Sequence, residues 1–324
     1  MITVTNLTKY FGDKKAVDNI SFNVSKGEIL GFLGPNGSGK STTMRMVTGF
    51  IKPTSGTVFI DKLDMSQDTM AAMAKFGYLP ENAAVYPDMT VFDYLEFCAS
   101  IRGFKGNFKK KRVEETIEKC FLTEVKQKRI VWLSKGFKQR VCLAQSIIHD
   151  PEYLILDEPT NGLDPNQKEE VRRMLKNMGS KKVIILSTHI LEEADAVCSR
   201  AIIIANGKIV ADDTPENLKK YSRKHGAVTL EISECEPDKL LSLIRNIENV
   251  NSVEITKKKQ EILKLIIFNE KDAVIFPDKI TSVLHNSGYK INSIFIEKGK
   301  LDEVFRKFTL ENKRGEEDTV VDVS

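Results

Sequence analysis

The run GPNGSGKST at 34–42 lies between the dense apolar stretch EILGFL (28–33) and the helical pattern STTMRMVTGF (41–50). This strand, loop and helix constrain the fold more than any other feature of the chain. Glycines at 34, 37 and 39 let the backbone curl until its N–H groups face one point, and the dipole of the following helix adds to the pull on an anion. Gly34, Pro35, Asn36, Gly37, Ser38, Gly39, Lys40, Ser41 and Thr42 therefore read as a phosphate-binding loop. Lys40 is expected to reach the β- and γ-phosphates of a nucleotide, and Ser41 to ligate Mg2+. A tight turn that happens to contain lysine would not require the whole pattern in this context.

The rest of the first 210 or so residues agrees with that start, because short β-rich runs alternate with helical patterns, the mark of a substantially parallel α/β sheet. YLILDEP (153–159), KVIILST (182–188) and AIIIANG (201–207) are apolar without alternation, as strands buried on both faces should be. Between Tyr86 and Asp150 the pattern turns helical, in TVFDYLEFCASIRGF and KKRVEETIEKCFL, and an inserted helical subdomain is expected over about 83–150. From 226 the order becomes strand, helix, strand, strand, helix, strand, the ferredoxin-like arrangement. The expected division is 1–222 for the phosphate-binding domain, 223–310 for an accessory α+β domain, and 311–324 for a disordered acidic tail.

Composition removes several function classes. Lys and Arg total 49 against 45 Asp and Glu, a net charge of +4 over 324 residues, so no global field points to nucleic acid. The five cysteines are scattered with no CxxC pair, which suits a reducing compartment. No apolar stretch approaches the roughly 20 residues that a membrane helix needs, and MITVTNLTKY lacks the basic-then-apolar order of a secretory signal. A membrane role would then need a partner chain.

Two further segments carry chemistry. YLILDEP ends a buried strand in adjacent carboxylates, which need a cation or hydrogen bonds to offset desolvation. Asp157 is suited to hold Mg2+ through water, and Glu158 to polarise an attacking water. His189 follows KVIILST and so falls at the C-terminal edge of the same sheet, where ligands of open α/β folds collect.

With these residues assembled, residues 1–220 resemble the nucleotide-binding subunits of ABC transporters. The resemblance implies a P-loop NTPase fold of ABC type with an inserted helical subdomain, followed here by the small ferredoxin-like domain. It also implies the order seen here: phosphate loop, Asp157-Glu158, NGLD (161–164) ending in Asp164, and a switch residue at His189. The family signature, usually LSGGQ, occupies the place of LSKGFKQR (133–140), so Ser134 and Gly136 are expected to bind the γ-phosphate of ATP held by a second copy. Lys135 and Phe137 depart from the commoner residues, in a manner resembling subunits that serve ABC-2-type permeases. Glu81 in GYLPE stands where the family usually has Gln, and a carboxylate can still ligate Mg2+ or orient water. Near the N-terminus the family stacks an aromatic on adenine; Phe11 fills that role by position, with Tyr10 as second choice.

The implied function is an ATP-hydrolysing subunit that dimerises around two ATP molecules and powers a separate ABC-2-type permease, with export favoured by the resemblances of GYLPE, LSKGF and the closing GKLDEVFRKFTL (299–310). Such a subunit would sit in the cytoplasm, peripheral on the inner face of the cell membrane. A soluble ABC-type ATPase acting on DNA or ribosomes is the alternative; long coiled-coil insertions or tandem cassettes would mark it, and this chain has neither. The accessory domain reads as structural, since no cluster of pocket-type residues in 226–310 favours a ligand sensor.

Overall fold

The computed structural model describes residues 1–82, 84–233, 235–259, 262–270 and 277–317. Two compact units divide it, Met1–Pro215 with the last residues from Lys307, and Glu216–Arg306. In chain order the first contains β1 (Ile2–Phe11), β2 (Lys14–Val24), β3 (Ile29–Leu33), α1 (Lys40–Val47), β4 (Ser55–Ile60), β5 (Leu63–Asp64), α2 (Thr69–Ala74) and β6 (Phe76–Leu79). Three helices follow, α3 (Val91–Ile101), α4 (Gly106–Lys119) and α5 (Lys135–Ile147). Then come β7 (Tyr153–Asp157), α6 (Pro165–Gly179), β8 (Val183–Thr188), α7 (Leu191–Val197), β9 (Arg200–Ala205) and β10 (Lys208–Asp213).

Six strands form a sheet in the order β10-β9-β3-β8-β7-β6, all parallel except the edge strand β10. Every residue of β3, β7 and β8 is buried, which is why their sequences show apolar runs instead of alternation. A second, antiparallel sheet runs β2-β1-β4-β5. Helix α1 shares its core with both sheets: Met44, Met46 and Val47 are fully buried together with Phe22 of β2 and Phe32 of β3, whose ring centroids are 5.1 Å apart. Burial of each such side chain contributes about 1.5–3 kcal/mol. The helix stops at Gly49, whose φ of 77° closes the last turn and whose missing Cβ leaves room for the Met65 sulfur.

Register places the functional segments. Leu33 pairs with Thr188, Asp157 with Ser187, and Leu79 with Leu156, so the loops after β3, β6, β7 and β8 all leave one edge of the sheet.

The second unit comprises β11 (Val228–Ser233), α9 (Pro237–Arg245), β12 (Val250–Lys259), β13 (Ile262–Asn269), α10 (Pro277–Asn286) and β14 (Lys290–Ile296); α8 (Pro215–Lys219) precedes it. Its antiparallel sheet runs β12-β13-β11-β14, the ferredoxin-like order. Leu240 and Ile244 of α9 and Ile280 and Leu284 of α10 close its core over Leu230, Leu265 and their neighbours. Helix α11 (Leu301–Glu317) takes in the first seven positions of the segment read as a disordered tail, and 318–324 lie outside the described residues.

His149, just after α5, places Nε2 2.9 Å from the Phe76 carbonyl oxygen of β6. Burial, with Arg102 nearby, pushes its imidazole down to about 4. The unfolded chain takes up this proton near pH 6.5 and the folded chain does not, so the stability present above pH 6.5 is lost as the pH falls towards 4. Thermal melting between pH 7.5 and 4.5 should therefore fall less steeply in His149→Gln than in the parent chain.

Candidate nucleotide site

A cleft of about 410 Å³ opens at the edge where β3, β6 and β7 end. Phe11, Asn36, Gly37, Gly39, Lys40, Ser41, Thr42, Glu81 and Glu158 line it, together with Lys14 and Ala16. The structure thus gathers residues separated by up to 147 positions into one concave site. Phe11 stands at its rim, 52% exposed, with Lys9 Nζ 5.3 Å from its ring centroid. Tyr10 does not line the cleft; its ring carries Lys15 instead.

The loop has the conformation its glycines predict. Gly37 and Gly39 have φ of 81° and 107°, and a Cβ on Gly39 would lie 2.6 Å from the Ala16 carbonyl oxygen. A Cβ on Gly34 would meet Ser38 Oγ and the Ile204 carbonyl oxygen. Gly39 caps α1 without a side-chain hydrogen bond, so no residue of its own occupies the anion-attracting helix start. Lys40 is buried, and its Nζ donates to the carbonyl oxygens of Gly34 at 2.7 Å and Pro35 at 3.1 Å. Burial pushes the Lys40 ammonium below its ordinary value, while Glu158, Asp157 and Glu81 pull it back up, in that order of influence. Three carboxylates around one cation leave a site whose charge balance invites a further cation alongside an anionic ligand.

Asp157, at 1% exposure, accepts from Ser187 Oγ through Oδ1, and its Oδ2 has no partner. An unpaired buried carboxylate oxygen beside Lys40, with Ser41 in the first turn of α1, fits a hard divalent cation shared with phosphate oxygens. Among the described residues no group of three or more His, Cys, Asp or Glu could hold a metal by itself, so the phosphates would have to complete such a shell. Glu158 leaves the strand with φ of 52°, a left-handed conformation costing about 1–3 kcal/mol in a non-glycine residue. Its N–H donates to Ser187 Oγ at 3.0 Å and to the Ser187 carbonyl oxygen at 3.3 Å, which holds the strained residue in place. The result is that Glu158 Oε1 sits 2.9 Å from His189 Nδ1.

Ser134, Gly136 and Asp164 do not line the cleft. They form a second cluster at two helix starts. Ser134 caps α5 by accepting from Phe137 N at 3.3 Å, and Asp164 caps α6 by accepting from Gln167 N at 2.9 Å. The two helix starts touch each other directly: a Cβ on Gly136 would lie 2.4 Å from Gln167 Oε1, and Lys135 Nζ donates to Asn161 Oδ1 at 3.4 Å while its stem crosses Gly162. Phe137 places its ring 5.7 Å from the Arg140 guanidinium, which pairs with Glu170 at 2.6 Å. Lys135 therefore braces the junction between α5 and the 161–164 loop, and Phe137 lies beside the Arg140 that ties α5 to α6.

Three contributors escaped the reading of the sequence. Gln139 Nε2 donates to the Glu158 carbonyl oxygen at 3.2 Å, tying α5 to the carboxylate pair. Ser187 donates to the Asp157 carboxylate and accepts the backbone N–H of Glu158, and Lys14 lines the cleft. The ST pair before His189, two hydroxyls at the end of an apolar strand, was the available signal for Ser187; Lys14 and Gln139 had none.

Known proteins resemble the chain in sequence and in fold. A family model described as ABC transporter matches residues 17–161. The Bacillus licheniformis bacitracin transport ATP-binding protein BcrA is 34% identical over 301 residues, covering 92% of this chain and 90% of BcrA. The Escherichia coli probable multidrug ABC transporter ATP-binding protein YbhF is 37% identical over 223 residues, 68% of this chain, and that match spans only 38% of YbhF. Among solved structures, the dimeric post-hydrolysis state of the ATP-binding cassette MJ0796 bound to ADP and Pi superposes with a TM-score of 0.61 at 25% identity, covering 66% of this chain and 99% of that one.

Burial raises the Glu158 carboxyl above its ordinary value more than His189 and Lys40 lower it. A carboxyl raised on folding costs stability once the pH exceeds the ordinary glutamate range. Glu158→Gln should accordingly melt at a higher temperature than the parent chain at pH 7, and the difference should shrink as the pH is lowered towards 4.

Proposed function

The chain belongs to the ATP-binding proteins of ABC transporters, and on that premise we propose that it hydrolyses ATP as a homodimer and drives a separate membrane-spanning permease. The observation that carries this reading is the Glu158–His189 contact of 2.9 Å at a cleft that also holds Lys40. Phe11 offers a ring face to adenine. The amides of 36–40 and Lys40 Nζ, moving from the carbonyls of Gly34 and Pro35, take the β- and γ-phosphates. Mg2+, held by Ser41, by Asp157 through water and by Glu81, would neutralise charge on those phosphates. Glu158 orients a water in line with the γ-phosphorus and accepts its proton as the bond to the ADP oxygen breaks. His189 keeps that carboxylate in one orientation.

Ser134 and Gly136 lie outside the cleft, which supports contact with the γ-phosphate bound by a second copy rather than by their own chain. The Ser134 hydroxyl accepts the Phe137 N–H and keeps its proton for a phosphate oxygen. Asp164, exposed at the start of α6, belongs to the same meeting face.

A groove of about 510 Å³ with Phe50, Ile51, Met73 and Tyr78 in its wall lies on the other side of the segment after β6. Tyr78, Pro80, Asn82 and Ala84 line this groove, while Glu81 lines the nucleotide cleft. One peptide serving both cavities supports the groove as the docking place of the permease, with Glu81 reporting on it. Among the described residues no helix is long and apolar enough to cross a membrane, in keeping with a separate spanning chain. The names of BcrA and YbhF, bacitracin transport and multidrug, together with the Lys135-Gly136-Phe137 signature, favour an exporter with an ABC-2-type permease, in which this chain would sit at the cytoplasmic face of the membrane. The second unit is accessory, and nucleic acid is not a partner.

In gel filtration with ATP and Mg2+, Glu158→Gln should run as a dimer without turnover. Adding Ser134→Arg should return it to a monomer that still binds one ATP. A Glu158→Gln chain that stays monomeric would sink the shared-site reading. Extraction of the parent chain from membranes in mild detergent should yield an integral membrane chain alongside it; ribosomes or DNA in its place would overturn the transport assignment.

A further inference from the structure

Glu193, on α7, is a buried acid at 3% exposure with no part in the reaction above. Its Oε2 accepts from Thr160 Oγ1 at 2.5 Å and from Thr188 Oγ1 at 3.1 Å. Its Oε1 forms an ion pair with Lys168 Nζ at 3.2 Å, and Arg172 Nη2 lies at 4.0 Å. These partners come from three segments. Thr160 lies two residues beyond Glu158, Thr188 immediately precedes His189, and Lys168 and Arg172 stand on α6, the helix that Asp164 caps. Thr188 Oγ1 also accepts from Ile190 N at 3.0 Å, so the turn that presents His189 is tied through one hydroxyl to this carboxylate.

A buried charge costs several kcal/mol unless both its oxygens find partners. Here Oε2 accepts two hydrogen bonds, while Oε1 accepts none and is offset only by the charges of Lys168 and Arg172; the two threonines are the flanks of the Glu158–His189 contact. That contact joins loops leaving two different strands, so its 2.9 Å spacing depends on how the loops are held. Ser187 holds the start of the Glu158 loop, and Glu193 joins its continuation at Thr160 to the base of the His189 turn.

We propose that Glu193 is a positioning residue which locks the Thr160 and Thr188 loops together and links them through Lys168 to α6, so that Glu158 and His189 are aligned when the Asp164 end of α6 meets the second copy. The proposal rests on the ATPase reading of the site. A displacement of α6 would reach His189 through the ion pair and the shared carboxylate without passing through the phosphate loop. Loss of Glu193 should therefore affect turnover and spare ATP binding.

The test is steady-state ATP hydrolysis by the full chain, well below melting, for Glu193→Ala, Thr188→Val, His189→Ala and the double variant Glu193→Ala/His189→Ala. Glu193→Ala should lower kcat about tenfold and leave KM within about twofold. Thr188→Val, which removes one link and leaves the acid paired, should show the same split at smaller size and serves if Glu193→Ala does not fold. In the His189→Ala background, Glu193→Ala should change the residual rate by less than about twofold, because the Glu158–His189 contact whose alignment it enforces is already gone. Unchanged kcat in both single variants, or a full tenfold further loss in the double variant, would overturn the proposal. A parent chain without ATPase activity would instead overturn the reading on which it rests.

Discussion

The pairing of β8 between β3 and β7 carries the rest of the molecule, because it alone sets how far the phosphate loop lies from the carboxylates. Each neighbour brings one part: β3 runs into the loop at Gly34, β7 ends at Asp157, and β8 ends in Ser187 and Thr188. A slip of one residue would turn the β8 side chains over and send Ser187 away from Asp157. Complete burial of these strands opposes such a slip, since every position is packed on one face or the other. The apolar sheet is thereby a ruler for polar chemistry at its edge.

That edge concentrates features that do not favour stability. Lys40 is buried on the carbonyls of its own loop, Asp157 leaves an oxygen unpaired, and Glu158 combines a left-handed backbone with a desolvated charge. On the proposed function each would be relieved by ligand: phosphate for the lysine, a divalent cation for Asp157, water and a proton for Glu158. Such strain persists where the surroundings over-determine it, and here Ser187 does so with its hydroxyl and its carbonyl. A closed network reaches outward from the same edge, through Gln139 to α5 and through Glu193 to α6. The two helix starts that lie outside the cleft are consequently in mechanical contact with the residues inside it.

Much of this was legible in the chain because the signals were local. The phosphate loop depends on glycine positions and a following helix, and the strands around it on apolar runs, all of which can be read within about ten residues. The strand and helix order of the second unit could be read in the same way, and its sheet has the ferredoxin-like pairing. The α11 helix could not be read, because polar residues beyond 310 lack core periodicity and still continue a helix already begun at Leu301. Phe11 stands ahead of Tyr10 in the sequence only by its position before the glycine, and in the structure it is Phe11 and not Tyr10 that lines the cleft.

By itself, then, the sequence determined the glycine-rich loop after β3, the carboxylates at the end of β7, the histidine at the end of β8 and the folds that carry them, because each depends on neighbours along the chain. Only the tertiary structure decided that Glu158 meets His189, that Gly136 and Lys135 lean on the 161–164 loop and not on the cleft, and that one buried acid, Glu193, serves three segments. Those contacts join residues up to 33 positions apart, and no local rule of spacing or composition specifies them; they follow from strand register and from which buried charges can be paired.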